Sequence, residues 1–128
     1  MNTNSFETNI KGSMPVIDNV TFYQNKAPES AVLPYVVLRF DTTVDVDPTY
    51  LTNLIFACFD SQNKKSKDIK NIADSIQNTF NKKVLVYKDM VVHSTMTIRQ
   101  EIPSEMLTEK QGVELQFDLI LYSNKEVI

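Results

Sequence analysis

The sequence predicts an α+β fold, a mostly antiparallel β-sheet with one main α-helix packed on one of its faces. Two observations predict it. Residues 66–80 carry apolar side chains at the three- and four-residue spacing of a helix, whereas most other apolar segments alternate as strands do. The chain has 128 residues, of which 42% are hydrophobic and 23% are charged. This length and composition suit one soluble domain with its own core, so a single domain over residues 1–128 is expected.

Residues 1–18 show no sustained apolar period and contain Gly12 and Pro15. They predict an irregular or weakly helical N-terminal arm rather than a core element, followed by a sheet-and-helix core over 19–122 and a short tail over 123–128. The first residues also lack the basic start and apolar centre of a signal peptide, and no apolar run is long enough to span a bilayer. Neither secretion by that route nor a place in a membrane is expected.

The segment 33–40 is the predicted central strand, because Pro34 cannot donate a ladder hydrogen bond and therefore belongs at a strand's first position. A second apolar stretch, 20–23, lies just upstream. The loop 24–30 has the length and chemistry to join the two as a long-looped hairpin. In the strand 33–40, alternation predicts a core side made of Val36, Leu38 and Phe40. The outward side is made of Tyr35, Val37 and Arg39.

An acidic connector over 41–49 leads to a strand over 50–60, whose apolar residues fall on both alternations and predict cover on both faces. The helix over 66–80 follows, with Ser66 as the predicted N-cap and Asp68 in the first turn, where the helix dipole favours a negative charge. Its single apolar stripe must pack on the sheet, and it consists of Ile69, Ile72, Ala73, Ile76 and Phe80.

Three further strands are predicted over 84–87, 90–102 and 113–122. In the second of them the predicted inward residues are Val92, Met96, Ile98 and Ile102, and the outward ones are Val91, His93, Thr95, Thr97 and Arg99. The last strand has the cleanest alternation, with Val113, Leu115, Phe117, Leu119 and Leu121 on one face and with Ile120 and Tyr122 among the residues of the other.

Composition excludes several functions. The formal net charge of -3 provides no general attraction to nucleic acid. Two glycines are too few for a Gly-rich phosphate loop. The single cysteine, Cys58, excludes an internal disulfide and a multi-thiolate zinc site, which favours a reducing cytoplasm.

Few residues could perform chemistry. The one histidine, His93, has no serine or cysteine placed to act with it, and Cys58 lies in an apolar strand where a thiol behaves as a small hydrophobe. Asp41, Asp45 and Asp47 resemble a cation loop, but Val46 stands where the calcium-loop pattern requires glycine. No catalytic, cofactor-binding or metal site is therefore predicted.

Five apolar residues are instead predicted to point outward: Tyr35, Val37, Val91, Ile120 and Tyr122. Grouped on one face of a sheet, they would form a patch suited to self-association or to a partner. The alternative is that the N-terminal arm or a long hairpin covers them.

Residues 20–40, with a strand, a loop containing Pro28 and then Leu-Pro-Tyr-Val-Val-Leu, resemble the first part of the tail-completion or tail-terminator proteins of long-tailed bacteriophages. The later order is also similar to theirs: a strand over 51–60, a helix directly after it, and a closing strand over 113–122. The resemblance covers about residues 19–122. Members commonly begin with a clear amphipathic helix, and residues 1–18 depart from that pattern.

The resemblance implies a tail-terminator-like fold and a virion structural protein rather than an enzyme. Such a protein forms a ring, expected to be a homohexamer, which caps the head-proximal end of the tail tube and joins it to the head. Its implied partners are further copies of itself, the tail tube protein and the head connector or stopper protein, while DNA passes through the ring without specific binding. The implied location is the virion neck, after assembly in the host cytoplasm and without a membrane.

Two alternatives stay open. A head-completion or minor capsid protein of the neck would bind the portal side instead of the tail tube. A small α+β ligand-binding domain or enzyme would rely on His93 and on the acidic residues Asp41, Asp45 and Asp47.

Overall fold

A computed structural model describes residues 3–46, 49–63 and 66–123. Within these residues, one six-stranded mixed sheet and two helices form an α+β fold. The elements in chain order are α1 (Thr3–Gly12), β1 (Thr21–Gln24), β2 (Tyr35–Val46), β3 (Thr49–Ser61), α2 (Ser66–Phe80), β4 (Lys83–Val86), β5 (Met90–Glu101), a short 3₁₀ turn (Ser104–Met106) and β6 (Lys110–Ser123). The predicted tail beyond Ser123 and residues 47–48 of the predicted acidic connector lie outside the described residues.

The strand order across the sheet is β1-β2-β3-β6-β5-β4. The first pair is parallel and the other pairs are antiparallel. The longest ladder joins β3 to β6 without a register shift, from the pair Thr49–Tyr122 to the pair Ser61–Lys110. These two strands therefore form the centre of the sheet, and every other strand extends outward from them.

The predicted hairpin between the first two strands is wrong, because β1 and β2 are neighbours but run parallel, with Thr21 opposite Tyr35. The chain turns at Asn25, which adopts a left-handed φ of 70° and whose amide donates to the carbonyl oxygen of Leu38 at 2.8 Å. Asparagine tolerates this conformation better than most residues. Residues 25–34 then return to the start of β2, a route that the loop's composition alone does not distinguish from a hairpin turn.

Both helices lie on one face of the sheet, called here the helix face. The apolar stripe predicted for α2 is confirmed, since all five of its residues are buried. At its end Phe80 contacts Phe56 and Phe117, with ring centroids 5.6 and 5.8 Å away, and these two rings lie 5.7 Å from each other. This three-ring cluster forms the centre of the core. The side chain of Ser66, the predicted N-cap, is outside the described part of the helix.

The predicted N-terminal arm is wrong over α1 because this helix belongs to the core. Phe6 and Ile10 are buried in the same cluster as the stripe of α2, and the ring of Phe6 meets that of Phe40 edge-on at 5.2 Å. These two are the only hydrophobic residues of α1, so the sequence shows no extended apolar period. A helix this short has little stability alone and forms through tertiary contacts.

Polar contacts at both sides of α1 attach it across the sheet. Towards β1, the amide nitrogen of Gln24 donates to Glu7 at 2.6 Å, while Lys11 donates to the amide oxygen of Gln24 at 2.9 Å. Towards the turn between β4 and β5, Asp89 accepts hydrogen bonds from Ser5 and from Asn9. The helix thus connects one edge of the curled sheet to the hairpin at its other edge.

A β-bulge in β5 reverses two of the predicted orientations. The register between β5 and β6 shifts between Met96, opposite Phe117, and Ile98, opposite Gln116. An extra residue in one strand moves every later side chain to the other face. Ile98, predicted inward, is therefore 38% exposed, and Arg99, predicted outward, binds Asp74 of α2 at 2.7 Å.

Neither described helix is long and apolar enough to cross a membrane.

Candidate functional site

The opposite face of the sheet, called here the outer face, carries no helix among the described residues. The register identifies its members, because residues opposite each other in paired strands share a face. One end of this face holds a group of apolar side chains from five strands. We call this group the outer apolar patch, and it consists of Val44, Leu51, Val84, Val86, Val91, Ile120 and Tyr122.

The patch is built as two rows across the strands. In the first row Val44 lies opposite Leu51, Leu51 opposite Ile120, Ile120 opposite His93, and His93 opposite Val84. With a strand spacing of about 4.8 Å, this row is about 19 Å wide. The second row, one step nearer the end of the sheet, is formed by Tyr122, Val91 and Val86.

These side chains are open to solvent to an unusual degree for apolar residues. Val86 is 74% exposed, Val84 56%, Val44 46%, Tyr122 42% and Leu51 39%. Val91 and Ile120 are half-buried between them. Exposed apolar residues scattered singly are ordinary, whereas a contiguous group of them marks an interaction surface.

Three of the five predicted interface residues, Val91, Ile120 and Tyr122, meet in this patch. The other two, Tyr35 and Val37, lie at the opposite end of the outer face. Tyr35 is opposite Phe59, eight positions along β3 from Leu51 of the patch. At a rise of about 3.3 Å per residue, that separates Tyr35 from the patch by about 26 Å.

Although Tyr35 lies on the outer face, it is not open to solvent as predicted, because it is only 7% exposed. Its ring lies 5.9 Å from that of Tyr23 and 5.3 Å from that of Phe59. The ammonium group of Lys110 donates to its hydroxyl at 2.9 Å and lies over both Tyr35 and Phe59. Side chains from neighbouring strands therefore cover it, which the alternation of β2 alone could not predict. Val37 is half-buried opposite Ala57.

The sequence prediction missed four members of the patch. Val84 and Val86 alternate within a predicted strand, so their shared face was available as a signal. Val44 falls in the segment predicted as an acidic connector, whereas the structure places it in β2. Leu51 belongs to the strand predicted to be covered on both faces. That prediction is wrong at this end, although Ile55 on the same face is 4% exposed.

The candidate catalytic residues are not brought together. His93 is exposed on the outer face, where its ring meets that of Tyr122 edge-on at 5.4 Å. Cys58 is fully buried among the residues of the helix face. Burial raises the pKa of the Cys58 thiol to about 12, against the opposing effect of Arg99. A thiol in this state is a poor nucleophile at neutral pH.

His93 and the acidic candidates are also separated. Asp41 is opposite Asn53, and from there the register runs through Asp118 to Thr95, two residues beyond His93 on β5. Three strand spacings thus separate β2 from β5, about 14 Å. Asp45 also lies on β2, and Asp47 is outside the described residues. Within residues 3–46, 49–63 and 66–123, no three His, Cys, Asp or Glu side chains are grouped to hold a metal ion.

A hollow of about 420 Å³ beside α2 contains the carboxylates of Asp18, Asp60 and Asp68. Asp60 is the buried member of the three at 3% exposure, and it accepts a hydrogen bond from the amide of Ser61 at 2.8 Å. The backbone therefore satisfies part of the hydrogen-bonding capacity of this carboxylate.

No protein-family model matches the chain, and no curated protein matches it in sequence. The fold and the surface together define a single-sheet α+β protein with one face closed by helices and with an apolar patch on the other.

Proposed function

We propose that this chain is a structural protein of the neck of a long-tailed phage. In this proposal it forms a ring at the head-proximal end of the tail tube, terminates the tail and joins it to the head connector. The observation that carries the proposal is the outer apolar patch, because a subunit that functions only within a ring needs an apolar surface that its own helices leave open.

The order of elements is a second support. The tail-terminator family that the sequence resembles commonly begins with an amphipathic helix, the one feature that residues 1–18 lack as a sequence pattern. Helix α1 occupies this position, with Phe6 and Ile10 on its buried side and polar residues elsewhere. The chain then continues through strands, a helix and a closing strand in the order on which the resemblance rests. These features support a tail-terminator-like arrangement.

Charge is consistent with the proposal as well. A ring through which DNA passes must not hold the duplex, and the chain's net charge is -3. Repulsion between acidic subunits and phosphates would let DNA slide, because tight non-specific binding requires the release of counterions by Lys and Arg.

The direct test is the solution mass of the purified chain, measured by light scattering after size exclusion over a concentration series, with electron microscopy of the same fractions. We expect rings with a central channel wide enough for a DNA duplex, and a mass of six copies of the 14.7 kDa chain. A chain that stays monomeric at every concentration, and also when tail tubes and head connectors are added, contradicts the proposal.

The binding partners distinguish the proposed tail terminator from a head-completion protein. A tail terminator should bind the ends of tail tubes, and the genes beside its own should encode tube and connector proteins. A ring that binds the portal side and ignores tubes would instead identify a head-completion protein.

A further inference from the structure

The two edges of the sheet are unequally covered. Strand β1 pairs with β2 only from Tyr35 to Leu38, so β2 from Arg39 to Val46 borders no other described strand on that side. At the opposite edge, β5 is the one described strand with which β4 pairs. Each edge presents backbone N–H and C=O groups that another strand could pair with.

The two edges carry charges of opposite sign. The segment 82–88, which contains β4, has three lysines and no acidic residue. The free part of β2, residues 39–46, is net acidic, with two aspartates, Asp41 and Asp45, against one basic residue, Arg39. Lys82, Lys83 and Asp41 are exposed, so these charges are available to a partner.

Charged side chains on an edge commonly protect it from pairing with other chains. If these charges served only to prevent pairing, both edges could carry the same sign, acidic or basic. With opposite signs, two copies repel each other when like edges meet and attract each other when unlike edges meet. A contact between unlike edges is heterologous, and such contacts build rings when the rotation between subunits closes.

We propose that the free part of β2 in one copy pairs with β4 of the next copy, so that the sheet continues from subunit to subunit. This inference rests on the proposed function, since it names the surfaces through which the ring forms. The occupant of each edge is a second copy of this chain, selected by charge complementarity.

Apolar continuity supports the same junction. Val44 lies on the outer side of β2, while Val84 and Val86 lie on the outer side of β4. Because side chains alternate across a strand, pairing with the outer faces aligned brings these valines together. The junction would therefore bury the two most exposed members of the outer apolar patch and make the patch continuous around the ring.

Charge reversal tests this pairing. The first variant, Lys82→Glu with Lys83→Glu, makes both edges acidic, and the second, Asp41→Lys with Asp45→Lys, makes both edges basic. Each variant alone should lose self-association by roughly a hundredfold, because like charges then face each other at every junction. Mixed in equal amounts, the two should assemble again as alternating subunits.

A matched control reverses two exposed lysines of α2, Lys67→Glu with Lys70→Glu, and should assemble as the wild type does. Circular dichroism of each variant verifies the fold, and light scattering after size exclusion provides the mass.

The outcomes separate this inference from the proposed function. Restored assembly in the mixture supports the pairing. If the wild type forms rings and both reversed variants do so too, or if the mixture of two folded variants stays monomeric, the pairing is overturned while the ring function stands. A wild-type chain that never assembles overturns both.

Discussion

The two faces of the sheet are made by the same strands and have different properties. On β6, Phe117 points to the helix face and is fully buried in the three-ring cluster, while Tyr122 points outward and is 42% exposed. On β3, Phe56 is fully buried, while Leu51 is 39% exposed. The alternation of a strand determines which residues share a face, but only the packing of helices determines whether that face becomes core.

The largest expected effect comes from a matched pair on β6. Phe117→Ala removes one ring of the cluster and should lower the free energy of unfolding by about 3–5 kcal/mol, because it leaves a cavity in a packed core. Tyr122→Ala should lower it by less than about 1 kcal/mol, since its side chain is partly in solvent already. Urea unfolding of the monomeric form measures both. Equal losses would contradict the assignment of the two faces.

Helix α1 provides the next test, because the sequence suggests an arm and the structure shows a core element. Ile10→Ala should cost about 3 kcal/mol, as expected for a fully buried aliphatic residue. The control is Val16→Ala, just beyond the helix and 97% exposed, which should change stability by less than about 0.5 kcal/mol. If Ile10→Ala is as mild as this control in thermal or urea unfolding, α1 contributes nothing to the core.

The pH dependence of the free energy of unfolding tests whether Cys58 is shielded from water on the helix face. Its pKa is raised from 9.0 to about 12 by burial, so the unfolded chain loses this proton at a lower pH than the folded one. Burial of the protonated thiol therefore favours the folded chain in full below the pKa of the unfolded chain. This contribution is lost as the pH rises toward the pKa of the folded chain. The free energy of unfolding should fall by up to about 1.4 kcal/mol per pH unit in that window.

Cys58→Ala is the matched variant and should show a shallower alkaline slope. Burial also raises the pKa of Tyr87, although its hydrogen bond with Ser13 opposes the shift, and this contribution is common to both proteins. Identical slopes for the wild type and the variant would show that Cys58 is accessible to water.

The smallest expected effect belongs to the ion pair created by the bulge in β5. The guanidinium of Arg99 contacts Asp74 at 2.7 Å and Gln77 at 2.6 Å, with the side chains of Arg99 and Asp74 26% and 56% exposed. A double-mutant cycle with Arg99→Ala and Asp74→Ala should give a coupling of about 0.2–1 kcal/mol, because solvent screens a pair this exposed. Additive losses would mean that the pair contributes no stability.

The regular parts of this fold could be predicted from the sequence. The stripe from Ile69 to Phe80 repeats over several turns, and β6 alternates over its length, so each pattern indicates its own buried side. Helix α1 could not be found in this way, because two apolar residues make no period. The bulge near Ile98 leaves no local signal either, and it reverses the orientation of every residue after it.

The candidate site, too, could be predicted from the sequence only in part. Val91, Ile120 and Tyr122 could be predicted as outward residues because their strands alternate cleanly. That they meet one another, and that Val84 and Leu51 join them, depends on the strand order, which pairs residues distant in sequence. Tyr35 failed as a prediction for the same reason, since the Lys110 that covers it comes from another strand.

We propose that the outer face functions in assembly while the helix face provides stability. It is tested most directly by the solution mass of a Leu51→Lys/Tyr122→Lys variant, measured over a concentration series beside the wild type and a Val16→Lys control. Both substitutions lie in the outer apolar patch, and Leu51 is opposite Val44, one of the valines that the proposed junction brings together. We predict that the variant stays folded and monomeric while the wild type and the control form rings. A variant that assembles as the wild type does would contradict the claim.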